Sequence, residues 1–180
     1  MFGNKGKRDA KRAVEAGDVQ TLLQLLSDPD PEVRANTANQ CMNLPREAAD
    51  PTLVSALLRA AVEPEAQVRG QAILALGSMR APEGADMFLR ALSEDDWANQ
   101  MFAATAIGWM PDPRAIEGLG RLLQHEEPLV RGAAAFALGA IGTDESAAVL
   151  RASREEERDP DVREAIDEAL GKLGHQGGVP

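Results

Sequence analysis

A chain of 180 residues, 44% hydrophobic and 27% charged, is long enough to bury a core and too apolar to remain disordered. Aromatic residues make up only 3%, with no tyrosine, while alanine and leucine abound, which favours helices over sheets built from β-branched and aromatic residues. Nineteen Lys and Arg against twenty-nine Asp and Glu give a net charge of −10. Such a surface repels phosphate backbones and anionic headgroups, and argues against nucleic acid or membrane as partner.

The first segment, residues 1–17, is locally basic: Lys5, Lys7, Arg8, Lys11 and Arg12 crowd together. Residues 8–16 read as a polar helix capping whatever follows. A solvated helix end accounts for the charge, and so does a docking arm for an acidic partner.

From residue 18 to 174 one phrase recurs: an acid, often a proline, then Val-Arg, then an alanine-rich stretch closing in Leu-Gly. It reads Asp30-Pro31-Glu32-Val33-Arg34, Glu65-Ala66-Gln67-Val68-Arg69, Glu127-Pro128-Leu129-Val130-Arg131 and Asp159-Pro160-Asp161-Val162-Arg163, with a degenerate copy at Asp96-Trp97-Ala98-Asn99-Gln100. With Val33, Val68, Asn99, Val130 and Val162 as register, the spacings are 35, 31, 31 and 32. Each copy spells a helix start: an acid placed to cap free N–H groups, then proline in three copies where its missing N–H costs nothing. Val68, Ala72, Ala75, Leu76 and Met79, and likewise Val130, Ala134, Ala137, Leu138 and Ile141, fall on one face at helical spacing and are the expected core. Beside it lie Gly77, Gly108, Ala135 and Gly139, small enough for a neighbouring helix to come close.

An amphipathic segment precedes each such helix, around Leu22 and Leu26, Leu53 and Leu57, Phe88 and Leu92, Ile116 and Leu119, and Val149 and Leu150. Breakers mark the joints at 28–31, 81–84, 111–113 and 142–144. A single helix pair cannot bury both its apolar faces, so pairs must stack. The fold expected is all-α: an α-α superhelix, or α-solenoid, of about five helical hairpins, with no boundary inside the array. Residues 175–180 are Gly-rich and read as a flexible tail.

Cys41 is the lone cysteine, so no intrachain disulfide forms, and its register places it in the core. No apolar run approaches the ~20 residues that span a bilayer. No apolar stretch follows the basic terminus as in a signal peptide, and Phe2 excludes myristoylation. A cytoplasmic monomer is expected. His125 and His175, fifty residues apart, have no Cys or acid at ligand spacing. No phosphate loop, nucleophile elbow or His–acid pair beside a serine is present. The expectation is no catalytic residue, no metal and no cofactor.

The phrases at 130–142 and at 111–116 (Pro-Asp-Pro-Arg-Ala-Ile) resemble HEAT repeats, specifically the short variety named after phycobilisome lyases. The likeness covers roughly residues 18 to 174, and the period is shorter than the usual 40–47 of HEAT and armadillo repeats. It implies a superhelix whose second helices line a concave surface, in a family that mostly recruits or scaffolds proteins. The family pattern further implies that Arg34, Arg69, Arg131 and Arg163 pair with acids in the turns and tie adjacent repeats, against a reading of the column as an anion-binding ladder. Glu155-Glu156-Glu157 reads as a solvated helix end.

Positions two, six and ten after the register are expected to face away from the core. They are Ala35, Asn39 and Asn43; Gly70, Leu74 and Ser78; Met101, Thr105 and Trp109; Gly132, Phe136 and Ala140; and Glu164, Glu168 and Lys172. The face should run from an amide end through an apolar middle to a charged end. Asn39, Asn43, Leu74, Ser78, Met101, Thr105, Trp109 and Phe136 are the candidate partner-binding residues, exposed aromatic and methionine side chains being a common form of hot spot. Packing of Trp109 and Phe136 on each other or on the adjoining turn is the alternative. The functional expectation is a non-catalytic scaffold or adaptor that binds a protein segment. A bilin-lyase or chaperone-like role on a phycobiliprotein is what the repeat's namesake implies. A DNA-base-handling enzyme on a HEAT-like scaffold would need a basic face, and these positions supply one Lys and no Arg.

Overall fold

The computed structural model describes residues 3–45 and 50–176, and among these all regular structure is helical. The helices fall into two compact units, residues 1–84 and 85–180, where the sequence had suggested an unbroken array. Unit one holds α1 (Gly3–Ala16), α2 (Val19–Leu25), α3 (Pro31–Cys41), α4 (Pro51–Ala60) and α5 (Ala66–Ser78). Unit two holds α6 (Ala85–Ala91), α7 (Trp97–Trp109), α8 (Ile116–Leu122), α9 (Pro128–Ile141), α10 (Asp144–Glu156) and α11 (Pro160–Gln176). The chain is all-α and of the α-solenoid class, each hairpin pairing a first helix (α2, α4, α6, α8, α10) with a register-bearing second helix (α3, α5, α7, α9, α11).

Within unit one α1 packs on α2 and α3, and α3 on α5; within unit two α7 packs on α9, and α9 on α11. The capping helix starts at Gly3, five residues earlier than expected, and α11 runs to Gln176, so that His175 and Gln176 are helical where a flexible tail was expected. The rest of that tail, 177–180, lies outside the described residues.

Asp30, Asp96 and Asp159 cap α3, α7 and α11 through backbone N–H groups at 2.9–3.4 Å. Glu65 and Glu127 stand at the same place but make no capping bond. Their extra methylene carries the carboxylate past the N–H groups that an aspartate reaches, so the capping expectation holds for aspartate and fails for glutamate. Thr143 and Ser146 form a reciprocal capping box on α10. Gly142 ends α9 in the left-handed region at φ 77°, whereas α5 ends with Arg80 at φ 53°, where an L side chain is strained.

The register residues are the core. Val33, Val68, Val130 and Val162 are buried, as are Ala72, Leu76, Ala134, Leu138 and the first-helix residues Leu22, Leu53, Leu57, Phe88, Leu119 and Leu150. Cys41 is fully buried among them, and burial pushes its thiol up to about 12, so it is un-ionised at neutral pH. In the degenerate third repeat Asn99 takes the buried register place, its Nδ2 donating to Glu94 Oε2 at 3.3 Å.

Candidate partner-binding surface

Three members of the arginine column, Arg34, Arg69 and Arg131, are structural, whereas Arg163 on α11 is exposed. Arg34 Nη1 donates to the carbonyls of Asp28 and Pro29, Arg69 Nη1 to those of Glu63 and Pro64, and Arg131 Nη1 to those of His125 and Glu126. Each guanidinium thereby satisfies turn carbonyls just before its own helix. Two of these side chains also reach the next hairpin within their unit: Arg34 pairs with Glu63 at 2.7 Å, and Arg131 grips Glu157 with both Nε (2.7 Å) and Nη2 (3.0 Å). Glu157 is therefore no solvated acid. Its side chain is 6% exposed, and the Arg131 hydrogen bonds hold its carboxyl below the ordinary glutamate value. In the third repeat Gln100 stands in for the arginine, with Nε2 donating to the Glu94 carbonyl at 2.7 Å.

Within each unit a second helix is buried on the side of the next second helix as well as on that of its own hairpin: α3 against α5, α7 against α9 and α9 against α11. A Cβ on Gly108 would lie 2.1 Å from the Phe136 ring, and one on Gly139 would lie 2.7 Å from Ala169. Both glycines sit nine residues after the register, so that side of the helix is turned to the next second helix, as the small residues there had suggested. The position two after the register points nearly the same way, which explains why Ala35 on α3 is buried against α5 instead of facing away from the core; Gly70 is buried as well. The stripe left open consists of the positions one before and three, six and ten after the register. At about 100° per residue these span an arc of about 60°, and the position two after lies about 40° outside it.

The sequence-predicted residues distribute accordingly. Asn39, Asn43 and Phe136 are exposed; Leu74, Ser78, Met101, Thr105 and Trp109 are part-buried, so Trp109 is less open than expected. Several polar members already have partners within the fold. Asn39 Nδ2 donates to Gln71 Oε1 at 2.7 Å, Asn43 Nδ2 to the Gln40 carbonyl, Ser78 Oγ to the Met42 carbonyl at 2.9 Å and Thr105 Oγ1 to the Met101 carbonyl. Phe136 packs on the bare backbone at Gly108, not left without a structural role.

The stripe also adds residues that the two-six-ten spacing missed. In unit one Asn36, Asn39, Gln67 and Gln71 line a polar depression of about 170 Å³ with Lys7 and Glu32. In unit two Phe102, Trp109, Ala133, Phe136 and Ala140 form an apolar stripe, which meets Ala165, Glu168 and Lys172 of α11 in a groove of about 150 Å³. The charge divides the same way: ten basic and eleven acidic residues in 1–84, nine and eighteen in 85–180. Among the described residues no three His, Cys, Asp or Glu gather as metal ligands, and no helix is long and apolar enough to cross a membrane.

Helical hairpins repeating every 31–35 residues, tied by a recurrent arginine and closely stacked at Gly108 and Gly139, define an α-solenoid repeat protein. The chain belongs to the HEAT-repeat family, whose model matches residues 19–99 and 85–171. It is 29% identical over 159 residues to a HEAT repeat-containing taxis protein of Halobacterium salinarum, covering 88% of this chain and 36% of that protein. It is 32% identical over 126 residues to deoxyhypusine hydroxylase of Mus musculus, covering 67% of this chain and 41% of the enzyme. The chain thus spans about two fifths or less of these relatives. Among solved structures it resembles a designed armadillo repeat protein in complex with the peptide (KR)4 (TM-score 0.74, 16% identity, 95% of this chain and 91% of that one). It also resembles the complex of CpcE and CpcF of phycocyanin lyase from Nostoc (TM-score 0.66, 19% identity, 86% of this chain and 98% of that one).

Proposed function

We propose that this protein is a non-catalytic, cytoplasmic adaptor that holds an extended segment or a helix of a partner protein against the open stripe of its second helices. The observation that carries the reading is the unit-two stripe, where Phe102, Trp109 and Phe136 stand among small residues on a face not closed by the hairpin core, with the part-buried Met101 at its edge. Large apolar side chains set in a smooth, small-residue surface gain most when a partner removes them from water. Asn39, Asn43, Leu74 and Ser78 hold the corresponding places in unit one, where the surface is more polar. The fold class supports the reading, since a designed armadillo neighbour binds a peptide and a phycocyanin lyase neighbour is a two-protein complex.

The test is paired. Trp109→Ala should weaken partner binding by about 2 kcal/mol while the protein stays folded, and Leu138→Ala should weaken binding only in proportion to the fraction unfolded. Equal retention of partner by wild type and folded Trp109→Ala would rule the stripe out.

A further inference from the structure

Helices α1 and α11 each pack on one side and leave the opposite side exposed. α1 lies against α2 and α3, so closely that a Cβ on Gly6 would come 2.8 Å from Val33, and it stands before α3 as α3 stands before α5. α11 lies against α9 and α10, with Ala169 turned to Gly139. The side of α1 away from α3 carries Arg8, Lys11, Arg12 and Glu15; the side of α11 away from α9 carries Glu164, Asp167, Glu168 and Gly171, all exposed. Both sets follow the spacing i, i+3, i+4, i+7, and each lies roughly 100–180° round its helix from the packed Gly6 or Ala169.

The signs are segregated. In a chain of net charge −10, α1 carries five bases against two acids, and α11 carries four acids against two bases. Those two bases, Arg163 and Lys172, stand on the flanks of α11 and not among its outward acids. Solubility asks only that an uncovered helix side be polar; it does not ask for opposite signs on two such sides. The ion pairs already present are exposed ones, Lys11 with Glu15 at 3.8 Å and Arg154 with Asp167, and such pairs exchange partners at little cost. Gly171 adds a steric sign. It stands nine residues after the register, as do Gly108 and Gly139, whose missing Cβ atoms let Phe136 and Ala169 of the following second helix come close. Among the described residues nothing lies within 4 Å of a Cβ at Gly171 itself.

We propose that the basic side of α1 docks on the acidic side of α11 of a second copy, with Arg8, Lys11 and Arg12 facing Glu164, Asp167 and Glu168, and Gly171 admitting the incoming helix. The contact joins two different surfaces, so it leaves one face of each kind free and propagates head to tail. Each added copy brings one more partner-binding surface to the row. The inference stands apart from the adaptor reading, and either can fail without the other.

The test is sedimentation velocity on the full 180-residue chain over a concentration series. At about 20 mM salt the mean mass should rise with concentration, and at about 0.5 M salt, where surface charges are screened, it should return to that of one chain. Arg8→Gln with Arg12→Gln, and separately Glu164→Gln with Glu168→Gln, should each weaken self-association at least about tenfold. Mixed in equal amounts, these two variants retain one intact α1 face and one intact α11 face between them, and should form a complex of two chains and no longer row. Gly171→Gln leaves every charge in place, yet should weaken association by a similar factor because its side chain blocks close approach. Circular dichroism checks each variant as folded. A protein that stays monomeric at every concentration in low salt overturns the proposal. So does a mixture that fails to associate, which would mean a contact between like faces. Undiminished association of Gly171→Gln would reduce the contact to unspecific charge attraction and overturn it as well.

Discussion

Units one and two are built from the same hairpin, yet their open stripes differ in kind. In residues 1–84 the charges nearly balance, and the stripe presents Asn36, Asn39, Gln67 and Gln71, with Asn39 and Gln71 bonded to each other. In residues 85–180 acids outnumber bases two to one, and the stripe presents Phe102, Trp109 and Phe136. Their cores share one register: Leu76 and Leu138 hold the same place and are both fully buried. Positions fixed by packing stay alike from repeat to repeat, and positions that packing leaves free diverge, so the divergent ones are where a partner's chemistry is written.

The most severe test of the shared core is Leu76→Ala beside Leu138→Ala. Both should cost roughly 3 kcal/mol in chemical denaturation, because each empties a fully enclosed site. A cost below about 1 kcal/mol in either would break the equivalence of the two cores.

The glycine column gives a contrast of sign. Gly139→Ala forces α11 away from α9, since the new Cβ would meet Ala169, and should cost about 2 kcal/mol. Gly171→Ala, at the same register place on the last helix, meets nothing within 4 Å and should gain about 0.5–1 kcal/mol from helix propensity. A loss at Gly171 would show that the last helix is covered.

Arginine ties are compared next. Arg131→Ala should cost about 2 kcal/mol, more than Arg34→Ala, because Arg131 engages both Glu157 oxygens, whereas Arg34 Nε and Nη2 share one oxygen of Glu63, and the Glu157 carboxylate is the more buried. The Arg131 hydrogen bonds depress the pKa of Glu157 in the folded state. Their contribution is thus complete above the unfolded glutamate pKa and is lost as pH falls through the folded value. Arg131→Ala should accordingly lose less stability than wild type between about pH 5 and pH 3. Parallel acid titrations of the two proteins would contradict this.

The smallest effect is at the end of α5. Arg80 occupies the left-handed place that Gly142 fills at the end of α9, so Arg80→Gly should raise stability by up to about 1 kcal/mol.

Much of the fold was legible because burial repeats. Val33, Val68, Val130 and Val162 announce themselves every 31–35 residues, and Asn99 could be placed by counting although its chemistry differs. The site was legible only in part. Counting outward from the core gave the positions two, six and ten, but a solenoid helix is buried on the side of its neighbour too, and that swallowed Ala35. Glycine nine residues after the register, at Gly77, Gly108, Gly139 and Gly171, was the available sign of which side that neighbour takes. With it, Asn36, Gln71 and Phe102 join the stripe. Glu157 was misread for a different reason: an acid in a run of acids looks solvated until the arginine 26 residues earlier reaches it.

The central claim is that partner binding resides in the apolar stripe of unit two and not in the core or in the polar stripe of unit one. It is tested most directly by measuring affinity for the native partner with Asn39→Ala and Trp109→Ala side by side, each confirmed helical by circular dichroism. Trp109→Ala should bind about tenfold to thirtyfold more weakly than wild type, and Asn39→Ala within about threefold of it. Undiminished binding by a folded Trp109→Ala protein, or a larger loss in Asn39→Ala, would contradict the account.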